Sequence, residues 1–301
     1  MPAAKPLKIS TPAGFYYRSL GSQLDYIALW LTLSAWWGES RTTLGHMNLR
    51  PARPAAWLGF TLLLCAATAW TQTAPAVGRI RQRYLANPAF HWKCDALAVK
   101  DLCYSARIGP AIMESVARDF DRILGEELEL AGVTSYRPRI HVFMVDSPGR
   151  MRELVGAYAF GSSEPSEHIV CFVLGHPESL THELNHEVMT HLWGHSEPWI
   201  AEGLAALVSD PKGVDRDAAL LLLKHEDIPL SRMVRPGWTA AQYPSTVIYP
   251  ELGSFVKYLR TTYGMDRLRQ VWQKGSAAIS AVLGKPLSAI ERDWRAGLLA
   301  H

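Results

Sequence analysis

The chain has 301 residues, of which 48% are hydrophobic and 20% are charged. This balance is ordinary for a globular protein and excludes a disordered or fibrous chain. The formal net charge of +3 is too small to indicate a nucleic-acid-binding surface, so no nucleic acid is expected as a partner.

An apolar run near the N terminus has the features of an export signal. Residues 56–70 are apolar, Arg50 and Arg53 precede them, and residues 74–76 form an A-x-A site. This order of a basic stretch, a short apolar stretch and a small-residue cleavage site is typical of a secretory signal peptide. The sequence therefore predicts an exported protein, either periplasmic or secreted.

The predicted signal peptide covers residues 47–76, because Met47 stands where such a peptide would begin. Residues 1–46 are then an upstream leader of uncertain status. The alternative is that the run at 56–70 is retained as a membrane anchor. That run is shorter than the roughly 20 residues that span a bilayer, so cleavage is favoured and a membrane tether is the alternative.

Residues 77–108 carry no clear periodicity and are assigned as an N-terminal segment and candidate prosegment. An exported protein can form disulfides, and a Cys94–Cys103 bond would close a short loop. The alternative is that these thiols are unpaired. Cys171 lies in an apolar stretch and is expected in the core.

From residue 109 to 301 the patterns of apolar residues predict one α+β domain. Its first part, 109–210, contains the sheet and the metal helices, and its second part, 211–301, is helical. In chain order the predicted elements are a helix at 110–132, a strand at 139–145, a helix at 151–158, a loop at 161–167, a strand at 168–174, helices at 178–194 and 199–209, and helical patterns at 217–225, 251–264, 265–273 and 287–299.

The helix at 178–194 contains an H-E-x-x-H sequence, residues 182–186. His182 and His186 lie one turn apart, so both imidazoles can bind one Zn²⁺, and Glu183 can reach a water on that metal. The opposite side of the helix carries an apolar stripe of residues at every fourth position: Leu180, Leu184, Val188 and Leu192. We therefore expect core on one side of this helix and a cleft on the other. The alternative is a solvated polar face.

A zinc site of this kind needs a third protein ligand. Glu202 is the best candidate, because it is a lone charge in a nearly continuous apolar helix, and burying an unpaired carboxylate is costly. Gly203, Ala205 and Ala206 are small enough to let this helix fold back close to the first. The metzincin pattern is excluded, since it would place its third histidine at Leu192. Other polar residues nearby are more typical of solvated or supporting positions: Glu187, His191, His195 and Glu197.

The sequence HELNH followed by EPWIAEGLA resembles the gluzincin metallopeptidases of the peptidase MA-like group. A looser likeness continues through IYPELGSFVKYLRTTYGMDRLRQVW and VLGKPLSAIERDWRAGL, so that it covers residues 110–298. The resemblance implies a zincin-like fold, with a small mixed sheet over the HExxH helix and a helical C-terminal half. It also implies one Zn²⁺ per chain, held by His182, His186 and Glu202. Asn185 stands where the family commonly has threonine, at a position expected to point away from the metal.

The function that this resemblance implies is an exported zinc-dependent peptidase acting on a peptide or protein substrate. Glu183 would be the general base for a metal-activated water. Related gluzincins often stabilise the oxyanion with a tyrosine, and the resemblance places Tyr249 there, with Tyr243 as the alternative. The strand at 168–174 could offer an edge to an extended peptide. The alternative function is a non-catalytic zincin-like scaffold that binds protein or cell-wall material, although an intact Glu183 favours the enzyme.

Overall fold

The computed structural model describes residues 78–235 and 237–300. The predicted upstream leader, the signal peptide at 47–76 and its apolar run at 56–70 lie outside the described residues. Within the described ranges, none of the helices combines the length and the apolar character that crossing a bilayer requires.

A five-stranded mixed sheet occupies the first half of the described residues. Its strands are β1 (Trp92–Ala96), β2 (Lys100–Ser105), β3 (Ile140–Val145), β4 (Gly161–Glu164) and β5 (Ile169–Val173). The spatial order is β1-β2-β3-β5-β4, and the two outer pairs are antiparallel while β2–β3 and β3–β5 are parallel. The expected α+β class with a mixed sheet is therefore confirmed.

Helices cover both faces of this sheet. The first four are α1 (Arg79–Leu85), α2 (Pro110–Ala131), α3 (Pro148–Val155) and α4 (Pro177–Trp193). Helices α2 and α4 pack through Phe120 and Leu184 against Val142, whereas α1 and α3 pack through Tyr84 and Met151 against the other face. Because both faces are covered, β5 is apolar throughout and all of its residues are buried.

The C-terminal half is helical, as predicted. It contains α5 (Pro198–Ser209), α6 (Gly213–Lys224), α7 (Leu230–Met233), α8 (Ser245–Tyr263), α9 (Met265–Lys274), α10 (Ile279–Leu283) and α11 (Leu287–Leu299), with short 3₁₀ turns at Ala240–Gln242 and Ser276–Ala278. Another 3₁₀ turn, Pro165–Glu167, lies between β4 and β5. A third apolar core surrounds α8, and its largest fully buried side chains include Trp199, Phe255 and Trp272. This core is separate from the two cores on the faces of the sheet.

Helix α4 is shared between the sheet and the helical half. Leu180, Leu184 and Val188 pack towards the sheet, as their spacing predicted, but Met189 and Trp193 belong to the helical core. The expectation of a helix with core on one side and an open cleft on the other is therefore wrong. The helix is enclosed from two directions because the C-terminal helices pack against it as well.

Two of the three small residues of α5, Gly203 and Ala206, face a different neighbour from the one predicted. A Cβ atom added to Gly203 would lie 2.8 Å from the backbone oxygen of Leu252 and 2.6 Å from Cγ2 of Val256, both on α8. Ala206 similarly approaches Gly253 of α8. The absence of a side chain at Gly203 thus permits close packing of α5 on α8, rather than of α5 on α4.

Two predictions about the strands near the centre of the chain are wrong. Residues 161–164, predicted as part of a loop, form the edge strand β4, because they pair with β5. The strand predicted at 168–174 lies between β3 and β4, so it offers no open edge. The open edge beside it belongs to β4 instead.

The segment at 77–108 contributes directly to the sheet. Strands β1 and β2 form a hairpin in it, and β2 pairs with β3, so the sheet begins before the predicted boundary at 109. Removal of this candidate prosegment would take two strands out of the sheet. Cys94 and Cys103 face each other in the hairpin and form a disulfide, whereas Cys171 is a buried free thiol of the core, as expected.

Candidate metal centre

The turn between α4 and α5 directs the second helix back along the first. Trp272 of α9 donates its indole N–H to the backbone oxygen of Gly194 at 2.8 Å. Glu197 accepts from the indole of Trp199 at 2.8 Å and from the backbone N–H of Ser276 at 3.1 Å. These bonds fix the turn to the C-terminal helices, and Pro198 begins α5 as predicted.

This packing brings the three predicted metal ligands together. Oε2 of Glu202 lies 3.3 Å from Nε2 of His182 and 3.6 Å from Nε2 of His186. One ligand atom from each residue lies within 4.8 Å of the other two, so the group could hold a metal ion. The side chains of His182, His186 and Glu202 are only 12%, 8% and 7% exposed, so the group is nearly enclosed.

The electrostatics of this group favour a positive charge beside Glu202. Burial alone would raise the pKa of Glu202, but the imidazoles of His186 and His182 outweigh it and lower the pKa to about 2. Burial would likewise lower the pKa of His186, but the carboxylate of Glu202 outweighs it and raises that pKa. A cation held between the three side chains would supply such a positive charge.

Glu183 is buried on the same helix, but it lies outside the group of three. Its side chain rests against Gly161 at the start of β4. A Cβ atom added to Gly161 would meet the carboxylate and lie 2.7 Å from Cγ of Glu183. The carboxylate of this candidate base therefore lies between α4, which carries it, and the first residue of the edge strand.

Tyr249 lies next to the group formed by His182, His186 and Glu202. Its ring is perpendicular to that of His182, with 5.7 Å between the ring centroids. Burial, with further contributions from Glu202 and Glu183, raises the pKa of Tyr249 well above its ordinary value, so the hydroxyl keeps its proton. The residue lies within α8 rather than ahead of it. The alternative, Tyr243, packs at the margin of the helical core.

A buried polar pair that the sequence did not reveal anchors α4 to α2. Asn185, which is fully buried, donates from Nδ2 to Oε2 of Glu127 at 2.7 Å. Burial raises the pKa of Glu127 to about 8. Asn185 thus contacts α2 and not the three candidate ligands. Glu127 follows Phe120 and Leu124 at helical spacing on the buried face of α2. This spacing was the sequence signal that Glu127 is buried.

Glu187, expected to be solvated or supporting, is buried and lies outside the group of three candidate ligands. Its Oε1 lies 2.6 Å from the hydroxyl of Tyr136 and 2.6 Å from Nδ1 of His168. Burial raises the pKa of Glu187, although both of these hydrogen bonds act in the opposite direction. Glu187 is one helical turn after Glu183, and this spacing was the only sequence signal that the two share a face.

The remaining polar residues near the H-E-x-x-H sequence also lie outside the group of three candidate ligands. His191 is exposed, with its ring 5.1 Å from that of Tyr136, measured between centroids. His195 is exposed in the turn after α4. Glu197 is held by Trp199 and Ser276. These positions agree with the expectation that none of the three is a ligand.

No model of a protein family matches the sequence, and no curated protein matches it either. What the site does must therefore be argued from its own residues and their geometry.

Proposed function

We propose that this chain is an exported zinc-dependent peptidase of the gluzincin type, with a zincin-like fold. The observation that carries the proposal is the approach of Glu202 to both imidazoles of the H-E-x-x-H sequence. Glu183 lies beside both histidines on the same helix. A mixed sheet with an antiparallel edge strand next to this helix also supports the proposed fold.

The donor set suits catalytic zinc. Two imidazole nitrogens and one carboxylate oxygen are ligands that Zn²⁺ accepts, and three protein ligands leave one position for water or substrate. A structural zinc site is usually closed by four cysteine and histidine ligands. The cysteines of the described residues are placed elsewhere, in the β1–β2 disulfide and in the core. The fit therefore favours a catalytic site over a structural one.

The side chains around the ligands have the properties that peptide hydrolysis requires. When bound, Zn²⁺ would polarise the peptide carbonyl and make water acidic enough to react near neutral pH. Glu183 would accept the proton of the attacking water and pass it to the leaving amine. The protonated hydroxyl of Tyr249 would donate a hydrogen bond to the developing oxyanion. The enclosure of the site strengthens each of these interactions because water screens them less.

The open edge of β4 supports a peptide as the substrate. Val173 donates its backbone N–H to the oxygen of Phe160 at 2.8 Å, and Gly161 is the next residue of the ladder. Hydrogen-bonded pairs alternate along antiparallel strands, so Gly161 and Ser163 direct their backbone groups away from β5. An extended peptide can pair with groups of this kind. It would then lie directly beside Glu183.

The disulfide supports the proposed export. Cys94 and Cys103 are bonded across the β1–β2 hairpin. Disulfides persist in oxidising compartments such as the periplasm or the cell exterior, and they are rare in the cytosol. This agrees with the signal peptide predicted at 47–76.

The test compares the full chain with its Glu183→Gln variant. Bound metal would be measured by mass spectrometry, and hydrolysis with a library of fluorogenic peptides. We expect one zinc per chain in both proteins and cleavage only in the native one. Glu126→Gln makes the same change at an exposed position of α2 and should remain active. Zinc without cleavage of any peptide would favour the non-catalytic scaffold.

A further inference from the structure

The segment that comprises β4 and the turn up to β5, residues 161–168, is attached to α4 at two places. At its start, Gly161 packs directly against the side chain of Glu183. At its end, Nδ1 of His168 lies 2.6 Å from Oε1 of Glu187. Glu183 and Glu187 lie one helical turn apart on the same face of α4. The segment between the two attachments therefore runs along this helix.

His168 holds an unusual backbone conformation at the second attachment. Its φ angle is 55°, in the left-handed region, and apart from glycines only His225 shares a positive φ among the described residues. Such a conformation is costly for a residue with a side chain and persists where surrounding contacts enforce it. Its backbone oxygen accepts from the N–H of His141 at 2.7 Å, which ties the residue to β3 as well. The imidazole is therefore held between the sheet and α4.

Glu187 presents its carboxylate from a fully enclosed position. Its side chain is 0% exposed, and Oε1 accepts from both His168 and Tyr136. Tyr136 lies in the loop that follows α2, so it reaches Glu187 from outside the segment 161–168. Of the two partners of this oxygen, only His168 belongs to the segment that includes β4.

We infer that His168 and Glu187 form a positioning pair, which sets the open edge of β4 in register with Glu183. The inference rests on the proposed peptidase function, because the edge matters only if a peptide pairs with it. Without the pair, the ladder between β4 and β5 would open more often, and β4 would shift relative to the base. The scissile bond of a peptide paired with that edge would then be displaced from the carboxylate of Glu183.

Two substitutions at position 168 separate the hydrogen bond from the backbone conformation. Both asparagine and glycine accept a left-handed φ angle. The amide nitrogen of asparagine is one bond from Cγ, as is Nδ1 of histidine, so His168→Asn keeps a donor near Glu187. His168→Gly keeps the backbone and removes the donor. Tyr136→Phe is the matched control, since it removes the other donor to the same oxygen.

The first measurement is kcat/KM for a cleaved peptide, together with zinc affinity. We expect His168→Gly to lower kcat/KM roughly tenfold, with a higher KM, because small misplacements of a substrate are costly. Zinc affinity should stay unchanged, and His168→Asn should restore most of the rate. Tyr136→Phe should lower stability but retain the rate. Equal losses in Tyr136→Phe and His168→Gly, or no rescue by asparagine, would show a merely structural pair.

The second measurement does not depend on catalysis. The backbone amides of Ser162 and Glu164 belong to the pairs that bond with β5, so their hydrogen exchange reports on β4 directly. Exchange should be faster in His168→Gly than in the native chain and in His168→Asn. Unchanged exchange would refute the positioning pair. If the native chain cleaves no peptide at all, the proposed function fails, and the exchange result still decides whether His168 positions β4.

Discussion

Oε2 of Glu202 lies 3.3 Å from Nε2 of His182, although 20 residues separate them along the chain. The two helices meet there because the turn between them is fixed by Trp272 and Glu197. We expect Glu202→Gln to weaken zinc binding by at least about 100-fold, because even residues that only support metal ligands contribute up to that much. Equilibrium dialysis against zinc would measure the change.

Glu197→Gln is the matched control for this prediction. It makes the same substitution just before α5, at a carboxylate that bonds to Trp199 and Ser276 instead of the histidines. This variant should be less stable and should still bind one zinc. Zinc affinity that is lost equally in both variants would show that Glu202 acts through folding and not as a ligand.

Gly161→Ala should impair hydrolysis while leaving the metal in place. The added Cβ would collide with the carboxylate of Glu183, so the base would be displaced. Gly125→Ala is the control, since its Cβ would meet nothing within 4 Å. The control should gain about 0.5–1 kcal/mol of stability, because alanine favours a helix over glycine. Peptidase assays with zinc determination would distinguish the two, and full activity in Gly161→Ala would contradict the proposed role of Glu183.

Tyr249→Phe should reduce kcat without loss of zinc. Removing one donor to an oxyanion typically costs about 10²–10³ in rate. The phenyl ring would preserve the perpendicular contact with His182. Tyr243→Phe is the control and should retain its rate. If the two variants exchanged these behaviours, Tyr243 would be the oxyanion donor, as the sequence left open.

Glu251→Gln should stabilise the protein more at pH 8 than at pH 5. Burial and nearby Asp227 raise the pKa of Glu251 to about 8 in the folded chain, from an ordinary value of 4.5. Below pH 4.5 the carboxyl is protonated in both states, so it contributes nothing to the pH dependence. As the pH rises towards 8, only the unfolded state ionises, so the folded protein loses stability relative to it.

The expected gain from Glu251→Gln near pH 8 is on the order of a few kcal/mol. Glutamine keeps an acceptor for the backbone bond from Ile228 that the carboxylate receives. Urea unfolding at the two pH values would measure the difference. An equal gain at both would mean that Glu251 ionises normally in the folded chain.

Reduction of the Cys94–Cys103 bond should destabilise the β1–β2 hairpin. The bond spans a sequence separation of 9 residues. A loop of this size restricts the unfolded chain by about 2–3 kcal/mol. Thermal unfolding with and without a reductant would measure the loss. The Cys94→Ala/Cys103→Ala variant should no longer respond to the reductant, and a response there would point to another cause.

The parts of the site that depend on local spacing could be predicted from the sequence. His182 and His186 are one helical turn apart, so their common face follows from helix geometry alone. Glu202 required a further physical argument, that a lone carboxylate in an apolar helix needs a partner. The reason given for the approach of the two helices was wrong, because Gly203 faces α8. The approach of Glu202 to both histidines was predicted, whereas the packing that positions it was not.

The edge strand and the buried polar pairs could not be predicted in the same way. Residues 161–164 are glycine, serine, serine and glutamate, which have little strand preference, and they are extended because β5 is beside them. Glu187 is buried because Tyr136 and His168 meet it in the folded chain. Tertiary contacts between residues far apart in sequence decide both features.

Helix α4 belongs to two cores, and this has a consequence for the order in which the protein matures. A chain is synthesised from its N terminus, and early segments begin to fold before later ones exist. The sheet and both histidines are made first, while α8, which packs against α5 and carries Tyr249, is made near the end. An unfinished chain therefore has both histidines without the late contacts that fix Glu202 against them, so the candidate metal site, and with it the proposed hydrolysis, would be completed only near the end of synthesis.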